Sequence, residues 1–342
     1  MPPLLSAQEQ DRARGALYGL AIGDALGMPT QMLSRRQITR RWGPLLTGFE
    51  AAPSGHPIAA GMPAGAVTDD TEQAVLLARL LLAGRVDPRE LAAALAAWER
   101  DMAARGSLDL LGPSTRRAID AVLAGTPPEE AGLSGDTNGA AMRIAPVGIM
   151  VAAGDLTALA DAVHGASLVT HNTSVALAGA AAVAAAVSVG VGGSGTGGAG
   201  GSRVEAATEV AMAAARLGAE RGHWVAGADV AARIGWATGL VRGLPLGEAA
   251  EVIYSLVGTS LATQESVPAA FAVLSAVPDD PWRACLLAAS LGGDCDTIAA
   301  MTGAIAGACH GLAAFPAHAV EVIDAHGFAL ADLADSLLEL RR

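Results

Sequence analysis

Charged residues are sparse along this chain, and several of them stand immediately before apolar runs, where they mark helix starts. Asp87 is followed by a proline and then by an acid in the first turn, a pattern that predicts a helix from residue 88 to about residue 102. Asp280 repeats the pattern ahead of a helix that we expect to stop at Gly292 and Gly293. A further helix is predicted over residues 246–256.

Glycine recurs at every fourth position in two places, which we call the glycine ladders. This spacing puts each ladder along one stripe of a helix, where the missing side chains let two backbones approach closely. Because each interior glycine costs a helix about 1 kcal/mol relative to alanine, the repetition predicts close helix packing. We expect the last glycine of the first ladder to be a turn glycine instead. The ladders comprise Gly15, Gly19, Gly23 and Gly27, and later Gly303, Gly307 and Gly311.

A long uncharged segment runs from residue 162 to residue 202. Its part at 175–191 is long enough to cross a membrane, but it is mostly alanine and glycine, without aromatic or basic flanks. We therefore predict a buried, tightly packed helix there. The glycine-rich stretch at about 190–203 predicts a flexible surface loop.

Composition indicates an all-α fold. Hydrophobic residues make up 52% of the 342 residues, but the excess is mostly alanine, and aromatic residues are only 3%. Alanine favours helices, whereas the β-branched and aromatic residues that strands prefer are confined to a few short runs.

The charge balance narrows the classes of function. The net charge is −12, which argues against binding to nucleic acid or to an anionic membrane. All 22 basic residues are arginine, so mechanisms that need a lysine are excluded. The three cysteines show no CxxC spacing, and the first residues do not have the pattern of a signal peptide. We expect a cytoplasmic protein, either a monomer or a weak homo-oligomer.

Two short acidic clusters lie far apart in the chain, at residues 68–72 and 292–297. Each could simply start a helix, since Asp69 followed by Glu72 has the form of a capping box and Asp294 precedes an apolar run. One cap is usually enough, however, and adjacent acids repel each other unless a positive charge offsets them. Carboxylate and hydroxyl oxygens are ligands that Mg²⁺ and Mn²⁺ prefer. We favour a site for two divalent cations. Because the clusters would have to meet in space, we predict a single domain over residues 1–342.

Four segments together resemble the ADP-ribosylglycohydrolase family, over most of the chain from about Gly15 to Gly311. The resemblance implies a compact all-α fold with two Mg²⁺ or Mn²⁺ ions in a central cleft, and hydrolysis of the glycosidic bond at the anomeric carbon of ADP-ribose. By motif, it implies the metal ligands Thr68, Asp69, Asp70, Asp294, Asp296 and Thr297. The segments are Gly23-Asp24-Ala25-Leu26-Gly27, Val67-Thr68-Asp69-Asp70-Thr71-Glu72, Gly135-Asp136-Thr137-Asn138-Gly139 with its continuation to Pro146, and Gly292-Gly293-Asp294-Cys295-Asp296-Thr297.

The third segment supplies candidate substrate contacts. Its loop offers backbone amides suited to phosphate or ribose oxygens. The resemblance also places a substrate-facing histidine at His171, although a hydrogen-bonded core histidine is the alternative. Arg143 and Asp24 are expected to have structural roles. The predicted substrate-binding residues are Gly135, Thr137, Asn138, Gly139 and His171.

One position departs from the family pattern. Many members have a catalytic glutamate four residues after the Gly-Asp-Ala-Leu-Gly motif, where this chain has Gln31. A neutral amide cannot accept a proton, but it can orient a water molecule or a sugar hydroxyl. Three alternatives follow: another acid is the general base, with Asp136 as the best candidate, or the substrate differs, or the protein is inactive.

The leading hypothesis is a metal-dependent hydrolase that cleaves the N-glycosidic bond of an ADP-ribosyl group, with an ADP-ribosylated protein or a small ribosyl compound as the substrate. The first alternative keeps the dinuclear site but acts on a nucleoside or another small ribosyl N-glycoside. The second is a non-catalytic ADP-ribose binder, which would be expected to have damaged metal clusters, whereas the clusters of this chain are complete.

Overall fold

Helices form the fold, as predicted, in a computed structural model that describes residues 6–84, 86–104, 111–193 and 202–341. Within these residues there is no β-strand, only two isolated bridges. A π-helical segment (Ile253–Val257) and a 3₁₀-helix (Leu312–Ala314) accompany the α-helices. The α-helices are α1 (Ala7–Gly27), α2 (Arg35–Trp42), α3 (Asp69–Leu82), α4 (Pro88–Ala104), α5 (Pro113–Leu123), α6 (Pro128–Ala131), α7 (Gly139–Met142), α8 (Ala145–Met150), α9 (Leu156–Ser167), α10 (Ser174–Gly192), α11 (Arg203–Arg221), α12 (Val230–Val241), α13 (Leu246–Val252), α14 (Thr263–Ala276), α15 (Pro281–Ala289), α16 (Cys295–His310), α17 (Ala317–Asp324) and α18 (Leu330–Glu339).

The glycine ladders bring α1 and α16 into backbone contact. A Cβ atom on Gly19 would overlap the carbonyl oxygen of Gly303, and one on Gly303 would overlap the carbonyl oxygen of Gly19. Gly15 and Gly307 make the same reciprocal contact. Because early positions on α1 meet late positions on α16, the two helices run antiparallel. The predicted close packing is confirmed, and it places the last turn of α1 beside the first turn of α16.

Two ladder glycines differ from expectation. Gly27 is not a turn glycine, since it is the last residue of α1 and a Cβ there would overlap the Cα atom of Asp296. Gly311 lies just beyond the end of α16 with a φ of +90°, in the left-handed region that favours glycine. It therefore ends the helix, although its backbone still lies against Gly15 of the first ladder.

The uncharged segment forms α10, which is a core helix. It is long and apolar enough to cross a membrane, with a mean hydropathy of 2.1, but 94% of it is buried within the fold. Its small side chains allow close neighbours, because a Cβ on Gly148 of α8 would overlap the carbonyl oxygen of Ala184. The predicted buried helix is confirmed.

The other predicted boundaries are mostly correct. The helices after Asp87 and Asp280 begin at the adjacent prolines, and Gly292 and Gly293 follow the second of them with φ values of +94° and +76°. The helix predicted over 246–256 changes to π geometry after α13. Of the loop predicted at about 190–203, residues 194–201 lie outside the described residues. The largest apolar core includes residues of both α1 and α18. The single domain stays a prediction.

Candidate functional site

A cavity of about 130 Å³ lies where the end of α1 and the first turns of α3, α5, α7 and α16 meet. Part of its wall is apolar and includes Met32, Ile58, Pro113, Met142 and Leu261, none of which the sequence analysis singled out. The rest is polar. Eight of the predicted site residues line the cavity: Gln31, Asp69, Thr137, Asn138, Gly139, Asp294, Asp296 and Thr297.

The start of α3 differs from the predicted capping box. The N-cap is Thr68, whose hydroxyl accepts a hydrogen bond from the backbone N–H of Asp70, and Asp69 is the first helical residue. Asp69 is therefore wrong as the cap, because the hydroxyl of Thr68 satisfies the helix terminus instead. Glu72 accepts a hydrogen bond from the indole of Trp98. Because Thr68 caps the helix, the side chain of Asp69 is not needed as a cap and is directed to the cavity.

Asp24 has the structural role that the sequence predicted. It is fully buried on α1, and its carboxylate accepts hydrogen bonds from the backbone N–H groups and the hydroxyls of both Thr68 and Thr71. Burial raises the pKa of Asp24 to about 6, against the lowering effect of these hydrogen bonds. Asp24 therefore holds the first turn of α3 against α1.

The two acidic clusters meet at Asp70. Its Oδ2 accepts a hydrogen bond from the Thr297 hydroxyl at 3.2 Å, although these residues are far apart in sequence. Burial raises the pKa of Asp70 well above the usual value, and neighbouring negative charges raise it further. Those charges belong to Asp69, Asp24, Asp296 and Asp294.

This cluster fits a divalent cation. The Oδ1 atom of Asp70 is buried and has no hydrogen-bond partner, which is costly for a carboxylate unless a cation or a proton satisfies it. A cation or a proton would also reduce the mutual repulsion among the buried carboxylates. Among the residues that the structure describes, no three histidine, cysteine or acidic side chains form a ready-made ligand group. Threonine hydroxyls lie beside these carboxylates, and oxygens of both kinds are ligands that Mg²⁺ and Mn²⁺ accept.

Asp294 and Asn138 join the second acidic cluster to the loop at residues 135–139, called the substrate loop because the sequence predicts substrate contacts there. The Nδ2 of Asn138 donates to Asp294 Oδ2 and lies 3.0 Å from the hydroxyl of Ser266, while its backbone N–H donates to the carbonyl of Leu261. Asp294 precedes α16 without capping it through its side chain. Burial raises the pKa of Asp294 to about 6. The carboxylate is held by the side chains of Asn138 and Thr297 and lines the cavity.

A buried arginine supports the first cluster through one intermediate side chain. Arg143 is fully buried and donates from Nη1 to Oε1 of Gln73 at 2.9 Å, and Gln73 donates from Nε2 to Oδ2 of Asp69 at 2.9 Å. Burial lowers the pKa of Arg143 to about 10, and the charge of Asp69 opposes that change. At neutral pH the guanidinium keeps its charge. Arg143 is thus structural, as expected, but it reaches its acid through Gln73.

The same arginine orients His171. Its Nη2 donates to the Thr170 hydroxyl at 2.6 Å, and that hydroxyl lies 2.8 Å from Nδ1 of His171. Burial, with the charges of Arg143 and Arg117, lowers the pKa of His171 well below its usual value, so the ring is neutral. With Thr170 donating to Nδ1, Nε2 of His171 carries the proton and donates to the Thr137 hydroxyl at 3.0 Å. The proton of that hydroxyl is then available to the cavity.

His171 itself does not line the cavity. It is fully buried, and a Cβ on Gly139 would lie 2.8 Å from its ring. The structure therefore favours the hydrogen-bonded core histidine over direct substrate contact, since Thr137 and Gly139 lie between the ring and the cavity. Gly135 is also behind the wall, packed against the backbone of Thr170.

Asp136 does not lie where the general-base hypothesis needs it. The backbone carbonyl of Asp136 accepts hydrogen bonds from the N–H and hydroxyl of Thr263, and the adjacent Thr137 forms a bridge with Ala262. These contacts fix the loop so that the Asp136 side chain is exposed and is not part of the cavity wall. Its position in the motif does not make it a base.

Sequence reasoning missed several supporting residues. Gln73 follows Asp69 by one helical turn on the same face, and this spacing is a signal that could have identified it. Thr170 directly precedes the candidate residue His171 in the sequence. His56 hydrogen-bonds the backbone of Gln31 at 2.9 Å, but it stands in a segment of turns and has no sequence pattern that indicates this role.

Comparison with known proteins identifies relatives along the whole chain. The family model described as ADP-ribosylglycohydrolase matches residues 5–342. The uncharacterized protein YegU of Escherichia coli (strain K12) is 36% identical over 305 residues, which cover 88% of each chain. The ADP-ribosylarginine hydrolase Tri1 of Serratia proteamaculans (strain 568) is 32% identical over 160 residues, covering 43% of this chain and 39% of that protein.

A solved structure has the same fold. An ADP-ribosylglycohydrolase-related protein complex superposes with a TM-score of 0.63 and 24% sequence identity, covering 98% of this chain and 99% of the other. At this identity the likeness concerns the fold alone. It agrees with the helical architecture described above.

Proposed function

Because this chain belongs to the ADP-ribosylglycohydrolase family, we propose that it is a metal-dependent hydrolase that cleaves the N-glycosidic bond of an ADP-ribosyl group. The observation that carries the proposal is the buried, unpartnered Oδ1 of Asp70, whose neighbouring carboxylates Asp69, Asp294 and Asp296 line the cavity. That cavity, of about 130 Å³, is close to the ~150 Å³ that holds one benzene ring. It has the size for one sugar ring.

Two divalent cations, Mg²⁺ or Mn²⁺, would be held by oxygens of the two acidic clusters. When bound, such cations supply positive charge that orients ribose hydroxyls and polarises water. Asp24, Gln73 and Asn138 hold ligand carboxylates or the turns that carry them, and such outer contacts fix ligand orientation. The proposed ligands are Thr68, Asp69, Asp70, Asp294, Asp296 and Thr297.

The reaction is a hydrolysis in which the C–N bond at the anomeric carbon breaks. Water gives its oxygen and one hydrogen to the sugar, and the leaving nitrogen takes the other hydrogen. Asp294 is our candidate to accept the water proton, since its carboxylate lines the cavity. Fixed carboxylates also stabilise an oxocarbenium-like transition state.

The substrate loop would hold the sugar. Gly139 has no side chain, and the Thr137 hydroxyl proton faces the cavity when His171 is the Nε2–H tautomer. Asn138 holds Asp294 through its side chain. We therefore give Thr137 and Gly139 the direct substrate contacts and His171 a positioning role beneath them.

Two substrate classes follow from different observations. The relative named as an ADP-ribosylarginine hydrolase favours an ADP-ribosylated protein, with one ribose in the cavity and the rest of the ADP-ribosyl group outside it. Gln31 favours the alternative of a small ribosyl N-glycoside, because it lies in the cavity wall where the family pattern has an acid. Intact acidic clusters argue against a non-catalytic binder. A cytoplasmic location and a monomeric or weakly associated state remain part of the proposal.

The experiment is to assay release of ADP-ribose from an ADP-ribosylated peptide by metal-stripped protein, before and after addition of Mg²⁺ or Mn²⁺. Asp296→Ala should abolish both hydrolysis and metal binding while the fold survives, because removing one of several like charges relieves repulsion. Asp279→Ala, which changes an exposed acid outside the cavity, is the matched control. Full activity of Asp296→Ala in EDTA would overturn the proposal.

A further inference from the structure

One side of the cavity comes from residues 47–66, which we call the wall segment. It contains turns but no helix or strand, and its Ile58 lines the cavity. Long segments of this kind inside a compact domain are commonly functional. A Cβ atom on Gly48, Gly55 or Gly61 would meet no atom within 4 Å, so the segment is loosely packed at these positions. Its hydrogen bonds to the rest of the fold therefore matter for the shape of the cavity.

Within the described residues, two hydrogen bonds join the wall segment to other parts of the fold, and a histidine makes each of them. At the end of the segment, the carbonyl of Gly65 accepts from Nε2 of His326 at 2.8 Å. In its middle, Nε2 of His56 lies 2.9 Å from the carbonyl of Gln31. Of the two, the His56 bond is the one that reaches a residue of the cavity wall.

The hydrogen bonds of the His56 ring fix its tautomer. Because a carbonyl oxygen only accepts, Nε2 carries the proton and donates to Gln31. Nδ1 accepts from the backbone N–H groups of Ala59 at 2.8 Å and of Ile58 at 3.3 Å. His56 is 4% exposed, and burial lowers its pKa against the opposing effect of the Gln31 bond. The neutral ring thus connects Ile58 to the turn that follows α1.

The carbonyl that His56 binds belongs to the peptide group between Gln31 and Met32, and this group is held at both ends. Its N–H, that of Met32, donates to the carbonyl of Gly293 at 2.7 Å. Met32 has a φ of +58°, in the left-handed region that is unfavourable for a side chain of this size. Rotation of the peptide group would return Met32 to a negative φ, as in the change from a type II to a type I turn. The hydrogen bonds with His56 and Gly293 oppose that rotation.

We propose that His56 is a positioning residue for the hydrolysis: it fixes the peptide group between Gln31 and Met32, and with it one side of the cavity. This inference rests on the function proposed above. His56 does not line the cavity, whereas Gln31, Met32 and Ile58 do, so it acts through the wall and not on the substrate. Displacement of positioning groups by about 1 Å can cost ~10²-fold in rate, so loss of this bond should be visible in the kinetics.

Three substitutions separate the two sides of the ring. His56→Gln places an amide nitrogen near Nε2 and can still donate to the carbonyl of Gln31. His56→Asn places an amide oxygen near Nδ1, so it keeps the acceptor for Ile58 and Ala59 but does not reach Gln31. His56→Leu removes both. With Mn²⁺ present, kcat/KM for an ADP-ribosylated peptide should fall about 10–100-fold in His56→Asn and His56→Leu, and His56→Gln should restore most of the loss.

The order of the variants distinguishes positioning from a structural role. If His56 only shaped the wall segment, His56→Asn would be the better replacement, because it keeps both hydrogen bonds within that segment. The matched control is His326→Asn, which removes the other hydrogen bond that holds the segment, at a carbonyl outside the cavity wall. It should keep kcat/KM within about twofold of the wild-type value.

Hydrogen exchange of the Met32 amide gives a second measurement, which does not depend on activity. It is followed by NMR on metal-free protein. The Met32 N–H bonded to Gly293 should exchange at least about 10-fold faster in His56→Asn than in wild type, and at nearly the wild-type rate in His56→Gln.

The possible failures point to different conclusions. If Met32 exchanges at the wild-type rate in His56→Asn, or if it exchanges faster while kcat/KM is unchanged, the inference is wrong and the proposed hydrolase stands. Higher activity of His56→Asn than of His56→Gln would also overturn it. If metal-loaded wild-type protein hydrolyses neither the ADP-ribosylated peptide nor adenosine, the proposed function fails, and the exchange rates alone then decide whether His56 holds this peptide group.

Discussion

The guanidinium of Arg143 and the carboxylate of Asp69 are joined by one side chain, that of Gln73, with hydrogen bonds of 2.9 Å on each side. The arrangement places a buried positive charge behind the acidic clusters without a direct ion pair. It also fixes the amide, since Gln73 must accept from Arg143 and donate to Asp69. Thr170 extends the same chain from Arg143 to His171, so the first acidic cluster and the histidine behind Thr137 share one support.

Substitutions at Gln73 should separate the two functions of this side chain. Gln73→Leu removes the acceptor of Nη1 from the buried guanidinium, which keeps Thr170 as the acceptor of Nη2, and should destabilise the metal-free protein by about 1–3 kcal/mol. Gln73→Glu keeps an acceptor for Arg143, so its loss of stability should be smaller, but it repels Asp69 and should weaken Mn²⁺ binding about 10–100-fold. Urea unfolding and calorimetric titration with Mn²⁺ measure the two effects. Equal Mn²⁺ affinity in Gln73→Glu and wild type would contradict the role given to Gln73.

The glycine ladders make a second prediction, about stability. Gly303→Ala places a methyl group on the carbonyl of Gly19 in the facing helix, and neither backbone can move without separating α1 from α16. We expect a loss of about 3 kcal/mol or more, at the upper end of the usual cost of overpacking. Gly165→Ala in α9 and Gly239→Ala in α12 are matched controls, because a Cβ there meets no atom within 4 Å. Both should stabilise the protein by about 0.5–1 kcal/mol in urea unfolding. A stable Gly303→Ala protein would show that the ladder contact is not required.

The all-α fold class and the convergence of the two acidic clusters could be predicted from the sequence. The residue-level details of the helices and of the clusters could be predicted less clearly. Alanine favours helices, and the four-residue glycine spacing marks a helical stripe that can pack closely, so both features could be predicted from the sequence. That the two ladders pack against each other is seen only in the structure. The position of the α3 cap could not be predicted to the residue, because Thr68 and Asp69 are both good N-caps. Once Thr68 takes that role, the side chain of Asp69 is available to the cavity.

Other parts of the site depend on tertiary contacts that leave no pattern in the sequence. His56 reaches the backbone of Gln31 only because the chain folds back over the end of α1. The apolar wall comes from residues in five separate segments, among them Ile58, Pro113 and Leu261. Asp136 was chosen for its place in a motif, but proximity in sequence does not decide which way a loop side chain points.

The position of Asp136 leads to a third prediction. Asp136→Asn changes an exposed side chain outside the cavity and should alter kcat by no more than about twofold. Asp294→Asn keeps the shape of a side chain in the cavity wall but removes the proposed base, and kcat at saturating Mn²⁺ should fall about 10²–10⁴-fold. Steady-state kinetics of both variants on the same substrate measure the contrast. A large loss in Asp136→Asn would restore Asp136 as the base.

The buried carboxylates make a fourth prediction, about pH. Burial raises the pKa of Asp24 and of Asp294 to about 6, from ~4 in an unfolded chain. An acid with a raised pKa stabilises the fold while it is protonated, so this contribution is present below about pH 4 and is lost as the pH rises through about 6. The free energy of unfolding of wild-type protein in EDTA should therefore fall across this range faster than that of Asp294→Asn, in which Asp294 no longer titrates while Asp24 and Asp70, whose pKa is also raised, still do. Divalent cations favour the charged carboxylates and should reduce or reverse the fall. Urea unfolding at a series of pH values, in EDTA and in MgCl₂, measures both slopes. If the difference between wild type and Asp294→Asn had the opposite sign in EDTA, the fold would favour the charged form of Asp294, and burial would not be the main influence on its pKa.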